Sequence, residues 1–189
     1  VGVNVSVRQF AQRKLLPQVQ DALAETGLDP ALLTLEITES LVMRDVQGVA
    51  GLVQELKTLG LHVAIDDFGT GYSSLSNLRL LSLDQVKIDR SFVQDLTRDP
   101  DDAAIVRAVI AMAHSMRLEV VAEGVESAAQ LEFLRAHRCD QIQGFLISEA
   151  RPADEVTALL AARRVGPSGV WAEATALVDA PGGDATRLH

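Results

Sequence analysis

Cysteine occurs once in the 189 residues, as Cys139. An internal disulfide is therefore excluded, and the chain suits a reducing compartment. No apolar run approaches the ~20 residues needed to cross a bilayer, and no signal peptide opens the chain. Positive charge is scarce: 17 Lys and Arg stand against 26 Asp and Glu, a net charge of −9. This balance argues against general affinity for DNA, RNA or an anionic membrane, and a phosphate-bearing substrate would need metal ions or a few placed basic side chains. Several catalytic signatures are also missing. "GTGYSS" lacks the P-loop lysine, and no GxGxxG follows the first strand-like run. "DFG" has no HRD segment or phosphate-covering glycine loop beside it. Ser73 and Ser74 do not stand in G-x-S-x-G, and His62, His114, His137 and His189 lack zinc-ligand spacing. The first residue is Val1 rather than Met, and the true start is expected upstream.

What is present is a globular composition, 48% hydrophobic and 23% charged. Six short runs rich in Val, Ile and Leu read as strands: 1–6, 33–38, 62–67, 85–89, 119–124 and 141–145. Amphipathic stretches at 45–60, 101–117, 127–137 and 152–163 read as helices. The second follows the start cluster "RDPDD", the third a Ser cap at Ser127, and the fourth has Pro152 near its start. This alternation predicts an α/β protein built on a parallel sheet. The pattern fails after about Gly166, so residues 1–164 are expected to form one domain and 165–189 a flexible tail or linker.

The strand ends carry the chemistry. Asn4, Glu36, Asp66 with Asp67, Lys87, Glu123 and Gln143 stand at or near the C-terminal ends of the six runs in turn. A core would not choose them, because burying unpaired charge is costly. A parallel α/β sheet or barrel does, because its site lies outside those ends. Asn, Asp and Glu are hard oxygen donors suited to Mg²⁺ or Mn²⁺, and a cation gives the adjacent Asp66 and Asp67 a reason to tolerate each other. Taken singly, each has a plainer reading. Asp66 and Asp67 could start a helix, Lys87 could bridge to Asp89 or Asp66, Glu126 could meet a helix dipole, and Gln143 could be a structural amide. Cys139 reads as a small buried side chain, and Met112 and Met116 as core.

The segments "NVS", "LEITES", "IDDFGTGYSSL", "VKIDRSFV", "VAEGVE" and "QGF" occur in that order. Together they resemble the EAL-domain family of bacterial cyclic di-GMP phosphodiesterases, over Val1 to about Arg163. The resemblance implies a TIM-like (β/α) barrel that opens cyclic di-GMP to linear pGpG with two Mg²⁺ or Mn²⁺ ions. By that resemblance Asn4, Glu36 and Asp66 are metal ligands, Asp66 being shared between the ions. Asp67 serves the second ion, and Glu123 is a further ligand or the base. Lys87 holds and polarises the attacking water, with an electrostatic role rather than that of a base, and Gln143 lies near water and substrate. Glu39 anchors the loop Phe68–Leu75 (Phe68, Gly69, Thr70 and Gly71, then Tyr72 to Leu75), which is tied to second-metal binding and dimerisation. Tyr72, Ser73 and Ser74 are placed to cap the next helix or hydrogen-bond Glu39.

The sequence also departs from the family. The Glu-Ala-Leu segment is absent, and six strands stand where a barrel of this type has eight in roughly 240–250 residues. The barrel is thus expected to be incomplete, with about six βα units, and to lack two strands, one ligand Glu and a phosphate-contacting Arg. "SEARP" at 148–152 replaces the usual basic residue before a proline. The implied partners are cyclic di-GMP, a second copy in a homodimer, and an upstream sensory or diguanylate cyclase-like domain; no nucleic-acid polymer is expected. The implied location is cytoplasmic, either free or as the cytoplasmic part of a membrane-anchored protein. The rival reading is a catalytically inactive domain that binds cyclic di-GMP or a protein partner as a sensor. An open, ligand-short piece of this kind is expected to turn over little substrate alone.

Overall fold

The computed structural model describes residues 1–11, 14–71 and 75–162. Among the described residues six strands alternate with helices. The strands are β1 (Gly2–Val5), β2 (Thr34–Thr38), β3 (His62–Phe68), β4 (Gln85–Ile88), β5 (Glu119–Glu123) and β6 (Gln141–Gln143). All pair in parallel, in the order β1-β2-β3-β4-β5-β6. A doubly wound sheet reverses its strand order at a switch point. Here the order never reverses, which is the pattern of a (β/α) barrel, present as an open arc with β1 and β6 at its edges. The expected tail, 165–189, lies outside the described residues.

Register sorts the strand residues into two faces. Val5, Leu35, Ile37, Val63, Ile65, Val86, Ile88, Val120, Ala122 and Ile142 share one face and are all buried. Helices cover it. Val49, Val53 and Leu56 come from α4 (Val46–Thr58), after α1 (Val7–Ala11), α2 (Leu15–Thr26) and α3 (Glu39–Arg44). Val106, Ile110 and Ala113 come from α7 (Pro100–Ser115), after α5 (Leu75–Leu80) and α6 (Arg90–Gln94). Leu131 and Leu134 come from α8 (Ala128–Ala136). Burying one such side chain contributes ~1.5–3 kcal/mol, so this face anchors the sheet. The other face carries Asn4, Glu36, Asp66, Lys87, Glu123 and Gln143, which frees it for chemistry.

Helix starts follow the cap residues. The Asp45 carboxylate accepts from Gly48 N at 2.9 Å, and Asp99 accepts from Asp101 N at 2.8 Å with Pro100 just inside. Ser127 and Gln130 form a capping box. α9 (Ala153–Ala162) begins one residue after Pro152. α2 was not foreseen. Its Leu15, Val19 and Leu23 recur at helical spacing, and Pro17 falls in the first turn, where a proline is tolerated. The short α1, α3, α5 and α6, of five or six residues, carry too few turns to show a period. No described helix is long and apolar enough to cross a membrane.

Candidate active site

Lys87 is the centre of the polar rim. Its Nζ donates to Glu36 Oε2 at 2.7 Å, lies 2.7 Å from Glu123 Oε1, and lies 3.2 Å from Asp66 Oδ1. These side chains come from four neighbouring strands. Alternation puts them on one face, and the parallel register brings them level. The Lys87 side chain is only 6% exposed, so its charge depends on these partners rather than on water. Burial alone would pull the lysine's pKa down. Hydrogen bonds to Glu123 and Glu36, and the charges of Glu123 and Asp66, outweigh that and raise it. Lys87 is thus a fixed cation. Its partners are Glu36, Asp66 and Glu123; of the two bridges considered from sequence, the one to Asp66 forms, and none to Asp89 is present among the described residues.

Asp66 and Asp67 reach the same rim although they are adjacent. In a regular strand they would point to opposite faces. The β3–β4 register shifts between Ile65 and Phe68, and Asp67 adopts φ 54°. This bulge inserts one residue and turns Asp67 back toward the site, while Phe68 returns to the buried face. As a result Asp66, Asp67 and Glu123 each place a carboxylate oxygen within 4.8 Å of the others. Asp66 Oδ1 is buried and accepts no hydrogen bond, for Lys87 stands near it but out of line. A buried, unsatisfied carboxylate oxygen facing two further carboxylates suits a divalent cation with hard-oxygen preference. The acidic group could therefore hold a metal.

Proton affinities reflect this crowding. Burial raises the Glu123 carboxyl, opposed by its bond to Lys87 and the lysine's charge, and reinforced by Asp66 and Glu36. Asp67 is likewise raised by burial and then by the charges of Asp66 and Asp89. Asp89 was considered only as a bridge partner for Lys87. It stands two residues beyond Lys87, so period-two alternation already directed it toward the site. Its side chain also caps α6, accepting from Ser91 N at 2.9 Å.

Glu39 is 2% exposed, and its Oε2 accepts from Gly69 N at 3.0 Å and Gly71 N at 3.2 Å. It thereby ties the turn after β3 to the start of α3. Gly71 leaves room for this: a Cβ there would stand 2.8 Å from Glu39 Oε1. Thr70 closes the turn locally, donating from Oγ1 to Asp67 O. The roles foreseen for Tyr72, Ser73 and Ser74 lie outside the described residues. Gly2 has a similar spacing role, since a Cβ there would stand 2.2 Å from Glu36 Oε1.

Two expected residues stand apart from the cluster. Asn4 is level with Glu36 across β1–β2 but exposed at the sheet edge. Gln143 pairs in register with Glu123 and lines a cleft beside it, also exposed. Neither side chain touches Lys87. Cys139 is buried, and Met112 and Met116 pack against the core.

A parallel (β/α) arc bearing a carboxylate cage around a lysine at its C-terminal rim defines a TIM-like domain with a metal-type site. The EAL domain family profile matches residues 1–150, and the chain belongs to that family. It is 45% identical over 161 residues to the bifunctional diguanylate cyclase/cyclic di-GMP phosphodiesterase MucR of Pseudomonas aeruginosa, a match spanning 85% of this chain and 24% of that one. Among solved structures, the EAL domain of Mycobacterium smegmatis DcpA superimposes with TM-score 0.81 at 44% identity, covering 87% of this chain and 74% of that one. The PaMucR phosphodiesterase in its c-di-GMP complex gives 0.79 at 45%, covering 82% and 63%. The chain thus spans about a quarter of the length of the curated relative, and its sheet is an incomplete barrel.

Proposed function

We propose that residues 1–164 are the greater part of a phosphodiesterase domain that opens cyclic di-GMP to linear pGpG. One observation carries this reading: Lys87 clasped by Glu36, Asp66 and Glu123, with Asp67 folded back beside them. The likeness to MucR, so named and solved in complex with c-di-GMP, supports the substrate. Two Mg²⁺ or Mn²⁺ ions are the proposed cofactors. Asn4, Glu36, Asp66 and Asp67 would hold them, with Asp66 shared between the two, and Glu123 would serve as a further ligand or as the base. When bound, such ions supply Lewis acidity and acidify water. The chain's own residues do the rest. Lys87, kept protonated by its cage, offers a fixed positive charge where negative charge develops on the phosphate, rather than acting as a base. Glu123, with proton affinity lifted by burial, is suited to take the proton released by the attacking water. Gln143 positions water or substrate at the adjoining cleft. Glu39, holding the Phe68–Gly71 turn, fixes Asp67 and couples it to a homodimer face. The domain works inside a longer cytoplasmic or membrane-anchored protein with a sensory or cyclase-like unit.

The test is incubation of the full-length protein with cyclic di-GMP, with Mg²⁺ and with EDTA. Hydrolysis should require the metal. Lys87→Met should lower kcat by ~10²–10³-fold with an unchanged circular dichroism spectrum. Binding without hydrolysis would instead make the domain a sensor.

A further inference from the structure

The turn that carries Asp67 is held by Glu39 from one direction, and a second residue meets it from another. Gly69 has φ +101°, a backbone state that favours glycine, and a Cβ there would stand 2.9 Å from Phe92 Cε2 and 3.5 Å from Phe92 Cζ. The Phe92 ring, at the third position of α6, therefore lies over Gly69 on the side where a side chain would project. Gly69 N is also one of the two donors to Glu39 Oε2. The turn is closed on itself, since Asp67 O accepts from Thr70 Oγ1 at 2.9 Å and from Thr70 N at 3.4 Å. A shift of Gly69 is thus passed to Asp67, two residues before it.

The helix behind that ring is itself secured at both ends. Asp89 caps its start, accepting from Ser91 N at 2.9 Å. Gln130 secures its end from within the core, where its side chain is buried. Gln130 Nε2 donates to Val93 O and Gln94 O, both at 3.1 Å, and its Oε1 accepts from Glu126 N and Ser127 N, both at 2.8 Å. All four hydrogen-bonding positions of the amide are therefore used. Two of them satisfy carbonyls that a helix end leaves without an intrahelical partner. The other two lie in the segment that follows Glu123. One buried amide thus ties α6 to the loop after β5, and Val93, beside Phe92 in the chain, is fully buried. The ring has a rigid backing.

A carboxylate that serves a cation binds it best when its geometry is set beforehand by the groups around it. Asp67 sits at φ 54°, a left-handed state that costs energy in a residue other than glycine and persists only where the surroundings hold it. Glu39 supplies hydrogen bonds to that turn, and Phe92 supplies bulk. We propose that Phe92 is a positioning residue: seated on the helix that Gln130 locks, its ring braces the Gly69 turn so that Asp67 faces the second cation. This rests on the two-cation reading of the carboxylate cage. Phe92 acts through Gly69, and its ring offers no ligand atom to a metal.

The experiment titrates the full-length protein with Mn²⁺, followed by electron paramagnetic resonance, and measures cyclic di-GMP hydrolysis and thermal unfolding in parallel. Wild-type protein should take up two Mn²⁺ per domain. Phe92→Ala should weaken the less tightly bound ion ~10-fold or more and leave the tighter one unchanged. Its kcat should fall at low Mn²⁺ and recover at high Mn²⁺, with KM for cyclic di-GMP unchanged. Phe92→Met, which keeps an apolar wall of similar reach, should lie closer to wild type than to Phe92→Ala. Combined with Glu39→Gln, Phe92→Ala should cost no more than the larger single loss, because both act on one turn. A merely structural role would lower the melting temperature and weaken both ions alike. That result, an unchanged second ion, or losses that multiply in the double variant, overturns the proposal and leaves the phosphodiesterase reading standing. Uptake of a single ion by wild-type protein overturns the proposal as well. The expected Mn²⁺ pattern without any hydrolysis of cyclic di-GMP supports the role of Phe92 and overturns the phosphodiesterase reading alone.

Discussion

At the residue scale, Lys87 and Asp67 show what a linear chain reveals and what it conceals. Glu36, Asp66, Lys87 and Glu123 were legible because charge at the ends of apolar strands is costly without a purpose. Period-two alternation then leaves them one face to share. Asp67 was legible as a type but not in its direction, because a bulge with φ 54° is decided by pairing with β4 rather than by local sequence. The same chemistry makes a prediction at Cys139. Burial pushes this thiol from 9.0 up to about 12, partly offset by a hydrogen bond to Gln141. The unfolded chain therefore ionises first. The thiol costs nothing below about pH 9, and its contribution to stability is lost as the pH rises from 9 toward 12. Urea midpoints over that interval should fall for the native protein and fall less for Cys139→Ala. Native Cys139 should resist a thiol reagent at neutral pH and react on unfolding.

At the scale of the element, β3 and β5 are each fixed near their starts, at the end of the sheet opposite the carboxylate cage. Asp84, just before β4, accepts from Val63 N at 2.8 Å through Oδ2, and Lys57 Nζ donates to its Oδ1 at 2.5 Å. Asp140, just before β6, accepts from Val120 N at 2.8 Å and meets His114 Nε2 at 2.8 Å. Each aspartate thus satisfies the N–H of the second residue of the preceding strand, the same device used twice. Neither role is legible in the sequence, because an aspartate in a loop looks like a solvated turn until the strand it reaches is known. Asp84→Ala leaves a buried N–H without an acceptor and strands Lys57. It should destabilise the fold by ~2–3 kcal/mol in urea unfolding. Because Asp84 lies at the opposite end of the sheet from the cage, metal affinity should be retained by whatever fraction stays folded. The long, strongly periodic helices α4 and α7 were visible in the sequence, whereas α2 was hidden by its first-turn proline.

At the scale of the whole molecule, the monotonic strand order turns a list of scattered residues into a site. Asn4 and Gln143 stand on the edge strands β1 and β6, and the four charged side chains between them come from the strands that join those edges. The barrel-type order was legible from the βα alternation and the family resemblance. The open arc was legible from the number of strands. The cleft beside Glu123 was not, because it depends on glycines after β5 and β6 and an arginine at the start of α6, brought together from distant parts of the sequence. The central proposal is that this rim seats divalent cations. Mn²⁺ titration of the full-length protein, followed by electron paramagnetic resonance, tests it most directly. Wild-type protein should take up Mn²⁺ from solution, and Asp66→Asn, which removes the charge of the shared ligand, should weaken uptake by roughly 100-fold or more. Uptake by Asp66→Asn equal to that of wild type, or none by either protein, would contradict it.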